Sequence, residues 1–218
     1  MKNLITDLNK LKNELQNIIC RTDAGGESQL IKTAQTYLRK SFATGKGVKE
    51  KKYSREQEEE KLIEFINQNN LWVPPDSFGA FITEGAEQKI YFPENSTDVI
   101  KISDAVFYLY WEDYFNNLLI HNYFFSDTAY SLSGFHILDK KLFAVLKQPF
   151  IKSTDLTNLD NVKQFLQANG FEIKKNNDYF HLFLGIIMED LHDENVLTNN
   201  EDLFFVDTVI YLTDNFYK

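Results

Sequence analysis

Asp190, Asn195 and Asp207 are the residues whose types and spacing best suit chemistry. Asp190 follows the apolar run 182–188, Asn195 comes five residues later, and a second apolar run, 203–206, delivers Asp207. By periodicity this is a strand, a polar loop and a return strand, a hairpin-like unit that gathers the three groups at one end of a sheet. Two carboxylates and an amide so gathered suit phosphoryl transfer. One carboxylate aligns an attacking hydroxyl and takes its proton, while the amide and the other carboxylate hold magnesium against the phosphates. The plain alternative is an acidic turn, because Asp and Asn hydrogen-bond local backbone and tolerate turn geometry.

The elements that must position these groups belong to a chain of 218 residues, long enough to bury a substantial core. With 43% hydrophobic residues, 19 Phe and 11 Tyr it reads as globular rather than disordered. A net charge of −9 argues against nucleic-acid binding by the whole surface. One cysteine, Cys20, cannot form an internal disulfide, and no Cys/His cluster has metal-site spacing. The opening MKNLITDLNK lacks the apolar core of a signal peptide, and no run approaches a membrane span, so a cytoplasmic protein is expected.

Leu4, Leu8, Leu11, Leu15 and Ile18 recur at steps of four and three. The spacing predicts a helix over 1–20 whose seam meets one partner helix, in its own chain or in a second copy. After a break at 23–26, residues 28–39 read as a second helix with Leu30, Ala34, Tyr37 and Leu38 on one face, so the two form a helical hairpin. Between 39 and 55 stand seven Lys and Arg against one acid, Glu50. A solvated linker is the simple reading; contact with phosphate or nucleic acid is the sharper one. Ser54 with Gln57 predicts a capping box, followed by a helix with acids 56–60 in its first turn and Leu62, Ile63 and Ile66 buried; Pro74 and Pro75 forbid its continuation.

From about Ser77 the period becomes that of strands, over 78–83, 88–92 and 98–102, the first two joined by Glu84-Gly85-Ala86-Glu87. In the third, Lys101 stands among β-branched neighbours. Its ammonium needs a partner beyond the sheet face, for which a polyphosphate is suitable, unless it is an edge-strand lysine that guards against aggregation. Residues 103–122 are apolar on nearly all sides and predict a long buried helix, with Glu112 and Asp113 its only acids after the first turn and His121 a structural histidine near its end. Strands 130–138 and 142–147, around Asp139-Lys140, complete a five-stranded antiparallel sheet, and Gln148-Pro149-Phe150-Ile151 follows as a hinge stiffened by proline. Residues 158–169 predict a helix with Leu159, Val162 and Phe165 or Leu166 inward, stopped by Gly170, after which the polar residues 174–178 lead to the run before Asp190.

The loop Asp-Leu-His-Asp-Glu-Asn, 190–195, resembles the catalytic loop of aminoglycoside and choline kinases, where a His stands two after the Asp; Asp207 resembles their metal-binding Asp. More narrowly, GAEQKIY, IHNYFF, QPFI and DLHDENVL…FFVDT are similar to the kinase domains within polyvalent proteins of phages and conjugative elements, over about residues 55–218. The order of the parts agrees with that resemblance. It implies an α+β, two-lobed protein-kinase-like fold with a five-stranded first lobe (77–147) and a hinge with a short second lobe (148–218), to which the helical hairpin and basic linker read above (1–53) and the connecting helix (54–76) are an N-terminal extension. It implies ATP and magnesium as cofactors, with Lys101 on the α/β phosphates and Glu112, with Asp113 the alternative, orienting Lys101. Backbone around Gly85 would cover the phosphates, Asp190 would be the base, and Asn195 and Asp207 would hold magnesium. Adenine would dock beside Gln148, Phe150 and Ile151, bonded by the N–H of Phe150 or Ile151 because Pro149 has none. His192 is expected to shape the loop, since no proton-transfer partner for it is legible.

Asp207 is followed by Thr208-Val209 rather than Phe-Gly, and in residues 208–218 neither an activation segment nor a lobe that holds a protein substrate is expected. The N-terminal helices are expected to cover what this leaves open. The acceptor is open among protein, small molecule, nucleotide and the chain itself. Two rivals stand beside the phosphotransferase: a nucleotide-sensing, antitoxin-like module without turnover, and a helical interaction protein that grips a partner or nucleic acid through its first 55 residues.

Overall fold

In a computed structural model of the chain the described residues are 2–21, 25–42, 53–85 and 88–218. Three helices come first, α1 (Lys2–Cys20), α2 (Gln29–Ser41) and α3 (Arg55–Asn69). Then come β1 (Ala80–Glu84), β2 (Gln88–Phe92), β3 (Asp98–Ser103), α4 (Trp111–Phe124), β4 (Ser131–Leu138) and β5 (Lys141–Pro149). The strands form the expected five-stranded antiparallel sheet, in the order β1-β2-β3-β5-β4. After α5 (Leu159–Ala168) follow six short strands: β6 (Glu172–Lys175), β7 (Asp178–His181), β8 (Ile186–Glu189), β9 (Val196–Asn199), β10 (Asp202–Phe205) and β11 (Val209–Leu212). They make a four-stranded sheet, β11-β8-β7-β6, and the separate hairpin β10-β9. The architecture is mixed α+β. Among the described residues no helix is long and apolar enough to cross a membrane.

The large sheet has two unequal faces. Ile100, Ile102, Phe143 and Val145 pack with Phe78 into a small outer core. Ala144 and Leu146 face the other way, into the main core with Trp111, Phe115 and Leu119 of α4. Register puts Lys101 opposite Leu146 and Ser103 opposite Ala144, so Lys101 belongs to the α4 side. Gly134 marks a bulge in β4 at φ +147, where a Cβ would lie 2.3 Å from the carbonyl oxygen of Leu71, because the segment after α3 bonds to Phe135 there.

The helix expected over 103–122 starts later than its apolar run. Ser103 ends β3 and its Oγ accepts from the Ala105 N–H. Residues 104–110 are then pinned by Arg55, whose guanidinium donates to the carbonyls of Asp104, Ala105 and Tyr108 and sits 5.4 Å from the Trp111 ring. Helix α4 begins only at Trp111, so Glu112 and Asp113 fall in its first turn rather than after it. Its N-cap, Tyr110, supplies no side-chain bond. Glu58 of α3 does this from outside, its fully buried carboxylate accepting from the N–H of Trp111 (2.6 Å) and of Glu112 (3.1 Å). Glu58 is thus no mere first-turn charge, although the Ser54–Gln57 capping box of α3 forms as expected.

The first two helices form a hairpin through their polar groups. Lys32 (2.8 Å) and Gln35 (3.1 Å) donate to the Ile19 carbonyl, and Arg39 to that of Cys20 (2.7 Å), which satisfies the open end of α1. Gln35 also donates to Asn116 of α4 (3.0 Å). Leu15 and Ile19 of α1 are buried, and Lys12 and Gln16 donate to the carbonyls of Asn215 and Phe216. The α1 seam therefore packs within its own chain; the side chain of Leu4 lies outside the described residues. So do residues 43–52 of the basic segment, whose flanking Arg39 and Arg55 are tied into the fold.

Past the large sheet, local turns outweigh the apolar runs. The run 203–206 does not return along 182–188; β10 pairs with β9 around Asn200-Glu201, both at positive φ, and β8 pairs with β7 and β11. Residues 174–178 likewise hold a hairpin, β6 to β7 around Asn176-Asn177, rather than a polar lead. Pro149 lies inside β5, opposite Asp98, so the hinge expected at 148 begins two residues later.

His121 is the buried polar group of α4. Its Nε2–H donates to the Thr128 carbonyl (3.0 Å), which leaves Nδ1 to accept from the Thr208 hydroxyl (2.8 Å). Burial first, and the charge of Lys101 after it, pull its pKa down to about 3.

Two outcomes follow from these contacts. Glu58→Gln removes the charge and one acceptor from the start of α4, and urea unfolding should show a loss of about 1–3 kcal/mol, against little change for the exposed Glu60→Gln. His121 must charge on unfolding in acid, so its contribution is full above its unfolded pKa near 6.5 and falls as pH drops toward 3. Stability should decline by about 2 kcal/mol between pH 7 and pH 5 on its account, a component absent from urea curves of His121→Gln.

Candidate active site

The loop after β8 is built on its own first residue. Asp190 sits at φ +63, a left-handed conformation that a non-glycine residue adopts at some cost and that Asp tolerates better than most. Its carbonyl accepts from the His192 N–H (3.0 Å) and the Asn195 side chain (2.9 Å). The Asn195 amide also reaches the Asp190 carboxylate (Oδ2, 3.0 Å), while His192 Nε2 lies 3.3 Å from Oδ1. His192 Nδ1 accepts from the Glu194 N–H (3.2 Å), which fixes the ring. His192 therefore shapes the loop, and its partner is Asp190 itself, a contact that spacing alone did not reveal. Asp190 remains half exposed, open to a substrate hydroxyl.

Asp207 is brought to this loop by backbone. The Asn195 carbonyl accepts from the N–H of Val206 (2.9 Å) and of Asp207 (3.3 Å). From the far side Thr128 donates to the Phe205 carbonyl (2.5 Å), and His121 holds the Thr208 hydroxyl. Between them the Val206 carbonyl accepts from the Lys101 ammonium and the Tyr130 hydroxyl, each at 2.8 Å. Lys101 is buried, and its ammonium also lies 5.5 Å from the Tyr130 ring. Lys101, Asp207, Asn195 and Asp190 thus converge on one place from β3 and from two loops more than eighty residues away. The Asp207 carboxylate takes a further bond from Gln88 Nε2 (2.8 Å), at the start of β2.

The other expected residues lie around this centre. Gly85 follows β1, and its N–H donates to the Gln88 carbonyl (2.8 Å); Ala86 and Glu87 lie outside the described residues. Glu112 is buried and accepts from the Tyr53 hydroxyl (3.4 Å). Gln148 is buried, and its side chain donates to the Thr128 carbonyl (2.7 Å), so it braces the segment that holds Phe205. The N–H of Phe150 donates to the Thr97 carbonyl (2.9 Å), so of the two amides expected at this segment that of Phe150 is already engaged. The Phe150 ring is exposed and meets Phe92 edge-on, at 5.3 Å between centroids.

Asn195 and Asp207 are donors of the kind magnesium takes, since the Asn195 NH2 group is spent on Asp190 and its Oδ1 is left over. Among the described residues no three His, Cys, Asp and Glu side chains are grouped to hold a metal by themselves. An ion there would draw its remaining ligands from phosphates and water, the usual habit of magnesium. Sequence reading missed Gln88, Thr128, Tyr130 and Glu58. Of these only Glu58 had a signal, standing four residues before Leu62 on the buried stripe of α3.

No curated protein matches the chain. A family model described as serine/threonine/tyrosine kinases found in polyvalent proteins matches residues 55–214, from the start of α3 through the last short strand, and so takes in Lys101, Asp190, Asn195 and Asp207. The chain belongs to this kinase family, and phosphotransfer is the activity that membership implies.

Proposed function

We propose that the protein transfers the γ-phosphoryl group of ATP, with magnesium, to a hydroxyl acceptor. The observation that carries this is the meeting of Lys101 with the Asp207 segment, the ammonium lying 2.8 Å from the carbonyl of the residue before Asp207. A buried ammonium beside a carboxylate and an amide oxygen suits a polyphosphate, because Lys acts as a point charge and the oxygens accept a hard cation. The sheet with α4 is read as the first lobe of a kinase-like fold, and residues 150–218 as a short second one.

In this reading Lys101 leaves the Val206 carbonyl for the α/β phosphates, and Tyr130 keeps that carbonyl satisfied. Glu112, with Asp113 the alternative, orients Lys101 from the first turn of α4, which Glu58 holds in place. The turn around Gly85 covers the phosphates. The base lies by Ile151 and the exposed Phe150 ring, with Gln148 supporting from beneath. Asn195 and Asp207 would hold magnesium, which supplies charge neutralisation at the transferring group when bound. Asp190 aligns the acceptor hydroxyl and takes its proton, and its bonds to Asn195 and His192 keep the carboxylate aimed. The acceptor class is a hydroxyl compound or a protein side chain that can reach a half-exposed Asp190.

Incubation with γ-labelled ATP and magnesium tests this. Label should appear on the protein or as released phosphate, and Asp190→Ala should cut the rate at least about 100-fold while magnesium-ADP still binds. Asp207→Asn should instead weaken magnesium-ADP binding itself. Nucleotide binding with no turnover under any metal would overturn the phosphotransferase reading in favour of a sensor.

A further inference from the structure

We propose that Gln88 is a positioning residue for the metal–nucleotide complex. Its amide N–H sets the Asp207 carboxylate, and its carbonyl oxygen receives a metal-bound water. The inference rests on the reading above and adds a residue to it. Gln88 is only 9% exposed, and its two polar ends are treated differently. Nε2 donates to Asp207 Oδ1 at 2.8 Å. Oε1 is buried and has no hydrogen-bond partner among the described residues. Exchanging the two ends would set a carbonyl oxygen against a carboxylate, so this orientation is the one chemistry allows.

Three physical points give the arrangement a purpose. An amide orients a carboxylate without neutralising it, whereas Lys or Arg in its place would compete with a divalent cation for the same charge. A buried carbonyl oxygen without a donor is costly, and the cost is relieved when a donor arrives with the ligand. Magnesium brings such donors, because it keeps several of its waters when bound through one or two carboxylates and phosphates. The Gln88 main chain adds a third link, since its carbonyl accepts from the Gly85 N–H at 2.8 Å. One residue thereby joins the turn expected over the phosphates to the carboxylate expected on the metal.

The test is calorimetric titration of the full chain with ADP, at several magnesium concentrations and again in EDTA. Gln88→Met keeps the length of the side chain and removes both polar ends. It should raise the magnesium concentration needed for half-maximal tightening of ADP binding by 10- to 100-fold, the range found when outer-shell partners of metal ligands are removed. ADP affinity in EDTA should stay within about twofold of wild type, which a merely damaged cleft would not allow. Gln88→Asn keeps both groups on a shorter reach, serves if the Met variant does not fold, and should shift the magnesium dependence in the same direction. An unchanged magnesium dependence in the folded variants, or equal weakening with and without metal, overturns the role of Gln88. If the wild-type chain binds no ADP with magnesium, the nucleotide reading falls and this proposal with it.

Discussion

The Val206 carbonyl is the point on which the site depends. A buried lysine ammonium cannot be left without acceptors, since desolvating its charge is expensive, and the Val206 oxygen supplies one while also taking the Tyr130 hydroxyl. That oxygen belongs to the short link between β10 and β11, so satisfying Lys101 and locating Asp207 become one event. Four further bonds work on the same link. Asn195 holds two of its N–H groups, Thr128 the preceding carbonyl, and His121 the following hydroxyl. The link carries no regular structure of its own, yet its direction is set from β3, the loop before β9, α4 and the segment after α4 together.

The N-terminal helices enter this arrangement through α4. Their contact with it is partly apolar, through Leu15, Leu38 and Leu62, and partly a chain of buried amides and charges in which Lys32, Gln35 and Asn116 take part. Such groups fix register more sharply than apolar packing does, because a slip leaves polar atoms unmatched. Glu58 and Arg55 then govern where α4 begins, the one by meeting its first N–H groups and the other by holding the irregular segment before it. The position of Glu112 is therefore decided from α3, outside the helix that carries it.

Sequence periodicity carried much of this fold. The five strands of the large sheet, the helices α1, α2, α3 and α5, the capping box at Ser54 and the turn at Asp139-Lys140 follow from alternation, helical spacing and turn chemistry. Lys101, Asp190, Asn195 and Asp207 could be named because their types are unusual beside apolar runs. Errors arose where a short tight turn competed with a longer pattern. Asn200-Glu201 and Asn176-Asn177 each close a hairpin of four-residue strands, too short for alternation to register. The run 103–110 was apolar enough for a helix, but Arg55 takes its carbonyls from a distance of about fifty residues, and no local pattern encodes that. Gln88 was invisible for a similar reason. Only the pairing of Gln88 with Ser103 and of Ile90 with Lys101 puts it on the face of the lysine.

Charge balance explains why so many neutral groups surround Asp207. The chain carries −9, and a nucleotide polyphosphate is itself a polyanion, so attraction at long range is not available. At physiological salt this matters little beyond about 8 Å, and what decides binding is the charge within that radius. There His121 is neutral because burial holds its pKa near 3, and Gln88, Thr208 and Asn195 are neutral by nature. Lys101 is a buried cation that touches the Asp207 link, while among the described residues the carboxylate of Asp207 bonds to Gln88 and that of Asp190 to Asn195, with His192 beside it. For the polyphosphate proposed above, Lys101 is an attractive group and the carboxylates of Asp207 and Asp190 are repulsive ones. A divalent cation held beside them would turn those carboxylates from repulsive to attractive. In the reading proposed above, electrostatics would favour the metal complex over the free nucleotide before any transition state is reached.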